Sequence, residues 1–195
     1  MDDTQTFLQT RRSIRRFKPD PVPAPVIERI LKTATFAPSA HNLQPWRFAV
    51  VADKSARARL GKALTEKMGA DMTAEGALQA DIDKRTAISL RRIDEAPVLI
   101  LLCRDVTVVR KEEPEEHIMA VQSTALAGLQ LMLAAHAEGL GANWICWPLY
   151  AQESVRDTLE LPTTWEPQSM FFLGYTDENP NEKNLIPLEE VMLII

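Results

Sequence analysis

The chain alternates apolar runs with polar loops in a way that predicts mixed helices and strands along its 195 residues. Residues 2–9 read as a short helix whose Phe7 and Leu8 pack inward. Prolines at 19, 21, 23 and 25 bar a helix until the end of that segment. Pro25 then suits a first helical position for residues 26–36, where Ile27, Ile30, Leu31 and Ala34 form one face. Residues 46–52 read as a strand. Asp53 suits the cap of a following helix in which Leu60, Leu64 and Met68 recur at helical spacing. Residues 69–95 mix acidic and basic groups with little periodicity and predict a mobile helical excursion. The unbroken apolar run at 97–103 predicts a buried strand.

In the second half, residues 115–138 predict the longest helix, with few charges between His117 and Glu138 and with Gly139 as its stop. A helix this apolar on most faces belongs at the centre of the core or at a subunit interface. Residues 143–147 read as a short strand, 154–159 as a helix and 168–175 as a central strand. Residues 188–195 have β character and end on four apolar side chains. An apolar edge left in water is a liability, so this tail is expected to join a sheet. Mixed elements of this kind place the chain in the α+β class, as one domain over residues 1–195.

Two polar loops stand about one helix apart. Residues 11–16 hold four guanidinium groups (Arg11, Arg12, Arg15 and Arg16) and the Ser13 hydroxyl. Residues 37–46 set Ser39, His41, Asn42 and Gln44 between Pro38 and Pro45, which stiffen the loop. An Arg fork matches phosphate oxygens in pairs. A rigid Ser/Asn/Gln loop suits the edge of a flat heterocycle that donates and accepts hydrogen bonds. Either loop alone reads as an ordinary solvated segment. Both together suggest a nucleotide-like ligand, and one that is not a dinucleotide held on a Gly-rich turn.

At these residues the chain resembles the nitroreductase family of FMN-dependent oxidoreductases. The family pattern Arg-(Arg/His)-Ser-x-(Arg/Lys)-x-Phe reads here from Arg11 to Phe17. Pro-Ser-x-x-Asn-x-Gln-Pro-Trp follows from Pro38 to Trp46 without a gap. Residues 139–147 fit the family's third flavin loop, and Gly174-Tyr175 with residues 187–191 fit its final strand and tail. Within the family, residues 139–167 look most like the flavin domain appended to glutamyl ligases of deazaflavin-coenzyme synthesis.

The resemblance implies a mostly antiparallel sheet flanked by helices, with the C-terminal strand exchanged in a homodimer that holds FMN at its interface. It implies a ping-pong hydride mechanism, with NADH or NADPH as donor and nitroaromatics, quinones or flavins as acceptors. Two alternatives are a reductase acting on or with the deazaflavin coenzyme and a non-catalytic flavin-binding module. Arg11 and Ser13, with Arg12 nearby, take the phosphate. Arg15 sits beside the pyrimidine edge of the ring as an electrostatic stabiliser. Pro38, Ser39, Asn42 and Gln44 line the ring and ribityl chain, and the backbone of Cys146 and Trp147 passes the flavin N5. One departure is Leu185, where the family places a basic residue before Pro187. Lys183 matches a second basic position and takes that phosphate contact alone. No protein nucleophile is required, because the cofactor carries the reactive atom.

Composition narrows the field further. A net charge of −5 argues against nucleic-acid binding, so the Arg segment needs a local purpose. Only Cys103 and Cys146 are present, so a disulfide framework is not expected, and Cys146 reads as a buried small side chain. The acidic start lacks the apolar core of a signal peptide, and the apolar stretches fall short of the ~20 residues of a membrane span. A cytoplasmic protein without membrane contact is the simplest expectation. Arg16 reads as a solvated charge and His41 as a loop residue without metal partners, so no metal is expected. The acidic run of Glu112, Glu113, Glu115 and Glu116 reads as a solvated face.

Overall fold

The computed structural model describes residues 3–195; Asp2, the first residue of the expected N-terminal helix, lies outside them. A four-stranded sheet has the order β1-β2-β4-β3, and all three pairings are antiparallel. Its strands are β1 (Trp46–Val50), β2 (Val98–Asp105), β3 (Gly141–Ile145) and β4 (Trp165–Gly174). Side chains alternate along β2: Val98, Ile100 and Leu102 join one core, and Leu99, Leu101 and Cys103 join another. Both faces of the sheet are covered, which is why this strand reads as an unbroken apolar run.

On the first face lie α2 (Ala24–Ala34) and α5 (Pro114–Ala137), which bury Ile30, Ala34, Ala127 and Leu131 against Ile100 and Phe171. The second face carries α3 (Lys54–Ala74), α4 (Gln79–Glu95), α6 (Trp147–Tyr150) and α7 (Gln152–Thr158). There Leu60, Leu64, Ile93 and Val155 meet Leu99, Leu101 and Met170. The Asp53 side chain caps α3 by accepting from the Ala56 N–H at 2.7 Å. Gly139, at φ 73°, adopts the left-handed turn just after α5. The core pairing of β2 with β4 is reinforced where Arg104 donates both prongs of its guanidinium to Glu166, at 2.6 and 3.1 Å. That bond, and the charge behind it, hold the Glu166 carboxyl below its ordinary range against the opposing effect of burial.

Several expectations change. Residues 69–95 are the end of α3, a turn at Gly76 (φ 81°) and all of α4, an ordered helical hairpin between β1 and β2. Strand β3 starts and ends two residues earlier than expected, so Trp147 opens a helix. Glu116 leaves the solvated acidic run: it is buried and accepts from the Arg110 N–H at 3.3 Å. The tail forms a short helix, α8 (Leu188–Val191), and residues 192–195 pair with no strand among the described residues. Helix α5 is long and apolar enough to span a membrane by length and composition, contrary to the sequence estimate. Half of that stretch is buried against the sheet and α2, as in a core helix.

The outer face of α5 is also apolar. Ile118, Val121, Leu126 and Leu129 recur there at three- to five-residue steps and are all exposed. So are the tail residues Leu188, Val191, Met192, Leu193, Ile194 and Ile195.

Candidate functional site

Residues 11–18 follow α1 (Asp3–Thr10) across the end of the sheet. Ser13 forms a parallel bridge with Ala142 on β3, and the Ile14 N–H donates to the Ala142 carbonyl at 2.9 Å. Ile14, only 6% exposed, rests on Gly141, whose lack of a side chain permits the approach. The Glu178 carboxylate accepts from the Arg15 and Arg16 N–H groups, both at 2.8 Å. Burial works to raise the Glu178 pKa, but those two backbone bonds and the adjacent guanidinium charges outweigh it and hold the carboxyl low. The backbone of the basic segment is thus fixed from two sides.

Its side chains diverge. Arg11 and Arg12 line a cleft of about 300 Å³ with His136, Gly141 and Thr176. The Arg12 guanidinium is partly committed, donating to the Gln9 and Arg11 carbonyls at 2.7 and 3.1 Å. Arg12 and Thr10 also line a larger neighbouring cleft, of about 700 Å³, with Lys183 and Leu185. The structure therefore brings Lys183 to the Arg segment, and Leu185 stands where a second cation would have joined it. Arg15 is exposed. The Arg16 side chain is 83% exposed and approaches Glu178 only to 4.0 Å, a solvated charge as expected.

His136 and Glu178 are residues that sequence reasoning missed. His136 stacks on Phe7 at 5.0 Å, and its Nε2 lies 3.1 Å from the Thr10 hydroxyl. Burial, then the Arg11 charge, holds this imidazole below its ordinary pKa and favours the neutral form. Its place in the last turn of α5, just before Gly139, was the available signal. Glu178 sits in an unpatterned polar run and gave none.

The second loop is strained and self-bonded. His41, Asn42 and Gln44 take φ values of 53°, 56° and 53°, a region that side chains other than glycine rarely enter. Three contacts hold it there. The Gln44 N–H donates to Ser39 Oγ at 3.1 Å, Gln44 Nε2 donates to Asn42 Oδ1 at 3.1 Å, and the Ala40 N–H donates to Ser123 Oγ on α5 at 3.1 Å. Pro38 is exposed at its entrance, and buried Pro45 leads into β1. An Arg110 guanidinium nitrogen lies 3.2 Å from each ring nitrogen of His41.

The third element is the junction of β3 and α6. Cys146 is exposed, not buried, because β3 ends one residue before it; Trp144 Nε1 donates to its sulfur at 3.2 Å. Trp147 starts α6, whose first N–H groups lack partners within the helix. The Trp147 side chain walls two clefts, of about 160 and 460 Å³, against α3 and α4. Among the described residues no group of three or more His, Cys, Asp and Glu gathers as a metal site.

One chain does not unite the two polar loops. Ser13 pairs beyond β3, whereas residues 38–44 precede β1 at the other edge of the sheet. Four strand spacings separate them, roughly 19 Å, and they also lie at opposite ends of the strands. The loops occupy opposite corners of the sheet.

The Nitroreductase family model matches residues 8–175. A protein of Methanothermobacter thermautotrophicus, provisionally named an NADH dehydrogenase/NAD(P)H nitroreductase, is 31% identical over 195 residues, covering 98% of this chain and 86% of that protein. The 5,6-dimethylbenzimidazole synthase of Rhodospirillum rubrum is 29% identical over 192 residues, covering 95% of this chain and 86% of that protein. A protein of Desulfovibrio desulfuricans, provisionally named a nitroreductase and solved in complex with FMN, superposes with a TM-score of 0.76 at 23% identity, covering 100% of this chain and 97% of that one.

Proposed function

Because the chain belongs to the nitroreductase family and is an oxidoreductase, we propose that it binds FMN and uses NADH or NADPH to reduce electron-poor acceptors. Nitroaromatics, quinones and flavins are the acceptor classes. The observation that carries the reading is the basic segment: Arg11, Arg12 and Lys183 converge at two adjoining clefts lined by a single carboxylate, Glu182, while Glu178 behind the segment is engaged by backbone N–H groups. Three cations against one acid leave the net positive charge that suits a phosphate dianion. The FMN complex of the Desulfovibrio relative supports the same cofactor.

Bound FMN supplies hydride acceptance and donation at its ring. Arg11 and Ser13 fix its phosphate, with Lys183 as a third contact and Arg12 as a neighbour. Arg15 would place positive charge where the reduced ring gathers negative charge. Ser39, Asn42 and Gln44 present a preformed polar edge. The backbone N–H groups of Trp147, the first residue of α6, and of Cys146, its N-cap, would pass the reacting edge of the ring. Donor and acceptor then occupy the same place in turn, a ping-pong cycle.

A homodimer completes this reading. With the two loops at opposite corners, the Arg segment of one chain meets the Ser39–Gln44 loop only if a second copy supplies it. The exposed apolar face of α5 and the apolar tail are the surfaces that such a copy would cover.

The test is mass spectrometry of the cofactor released from purified protein, with stopped-flow reduction by NADH and by NADPH. FMN that is reduced by either donor and reoxidised by a nitroaromatic is the expected result. FAD, or no flavin after incubation with excess FMN, defeats the proposal. Bound FMN that neither donor reduces leaves a binding module.

A further inference from the structure

Helix α4 carries a stripe at three- and four-residue steps, Asp81, Lys84/Arg85, Ile88/Ser89 and Arg92, which faces Trp147 across the cleft of about 460 Å³. Three of these side chains are cations, and none of the three forms an ion pair among the described residues. That is unusual for its surroundings: the same hairpin pairs Lys62 with Glu66, Lys67 with Asp71 and Arg91 with Glu95. The cleft contains one carboxylate, Asp81. Its floor includes Ser89, which is 2% exposed. The opposite wall is the Trp147 ring, with Ile88 adding apolar surface. An indole face, a buried donor and an excess of positive charge suit a planar ring that carries an oxyanion.

We propose that this cleft is an acceptor subsite, and that the enzyme prefers flat aromatic acceptors bearing a carboxylate or phosphate over neutral ones. The inference rests on the flavin-oxidoreductase reading only in placing the acceptor's reactive end at the Cys146–Trp147 junction. Lys84, Arg85 and Arg92 steer and hold the anionic end, Ser89 donates to it, and Trp147 stacks on the ring.

The probes are 4-nitrobenzoate and its neutral near-isostere 4-nitrobenzamide. Each turnover would consume one NAD(P)H and one proton from solvent and reduce the nitro group to nitroso, releasing NAD(P)+ and water. Full-length protein is compared with a variant carrying Lys84→Gln, Arg85→Gln and Arg92→Gln. The expected result is a ratio of kcat/KM, benzoate over benzamide, that falls about tenfold in the variant, or ~1.4 kcal/mol, through KM and more at low salt. In parallel, quenching of tryptophan fluorescence measures binding without turnover. The wild-type protein should bind 4-nitrobenzoate more tightly than the amide, and the triple variant should lose that preference. Trp147→Phe should remove most of the quenching. Equal binding of the two probes by wild-type protein, or an unchanged preference in the variant, overturns the proposal whatever the cofactor does. A variant that alters only NADPH-over-NADH selection would assign the cations to the donor and also overturn it. Charge-dependent binding without NAD(P)H turnover would keep the anion site and defeat the oxidoreductase reading.

Discussion

Gly141→Ala tests whether the Arg segment is held in place by the β3 edge. A Cβ at position 141 would stand 2.7, 2.8 and 2.9 Å from Ile14 Cγ2, Cβ and Cγ1. Ordinary carbon contacts lie near 3.5 Å, so about 0.8 Å must be found. Because Ile14 Cβ is among the atoms met, rotating a side chain is insufficient and the backbone of residues 13–15 must shift. That shift breaks or stretches the bond from the Ile14 N–H to Ala142 and carries Arg11 and Ser13 with it. Overpacking of this kind costs ~1–3 kcal/mol. For a domain of this size the melting temperature should drop by about 3–10 °C. If the shift is undone on binding, FMN affinity falls by the same energy, roughly five- to a hundredfold. Isothermal titration of apoprotein with FMN, together with thermal melts, reads both quantities. Ile14→Ala removes two of the three atoms met, so the double variant should lose less than the sum of the single variants. A Gly141→Ala protein with a lowered melting temperature but wild-type FMN affinity would refute the link between this contact and the phosphate site.

Three further outcomes are expected. Arg15→Ala should bind FMN yet lower its two-electron midpoint potential by about 30 mV, read by dye-equilibrated reduction; an unchanged potential would place Arg15 away from the ring. Removing residues 188–195 should weaken the dimer and release FMN together, followed by sedimentation and absorbance at matched concentrations; a truncated protein that stays dimeric and yellow rules out tail exchange. Glu178 has a folded pKa below its ordinary value of ~4.3, so it stabilises the fold above that value, and the contribution is lost as pH falls through the folded pKa. Melts of wild-type and Glu178→Gln should therefore differ by a few degrees at pH 7 and converge below pH ~4, whereas a gap that persists at low pH would show that the carboxylate charge is not its source.

How far the sequence reveals this molecule depends on what each element buries. Strand β2 was plain because both its faces are covered, so each of residues 98–103 is apolar. Asp53 and Gly139 were plain because capping chemistry is local. Helix α4 was obscure because it buries only Ile82, Ser89 and Ile93, too few to set a period against its charges. The exposure of Cys146 depends on where β3 stops, and strand ends follow from pairing partners that lie far away in sequence. The separation of the two polar loops was hidden for a geometric reason. Helix α2, 11 residues and so about 16 Å long, carries the chain from one corner of the sheet towards the other, and closeness in sequence became distance in space. The family resemblance named the site residues, but only the sheet order shows which of them one chain can assemble.

The corner-to-corner arrangement has a genetic consequence. In the proposed dimer each chain contributes half of each pocket, so defects in different halves lie in different sites when two mutant chains pair. A chain with Arg11→Ala and Ser13→Ala, and another with Ser39→Ala and Asn42→Ala, should each be inactive alone. Co-expressed, half of their dimers would be mixed, and each mixed dimer would carry one doubly damaged pocket and one intact pocket. Two null alleles would complement, recovering about a quarter of the wild-type activity.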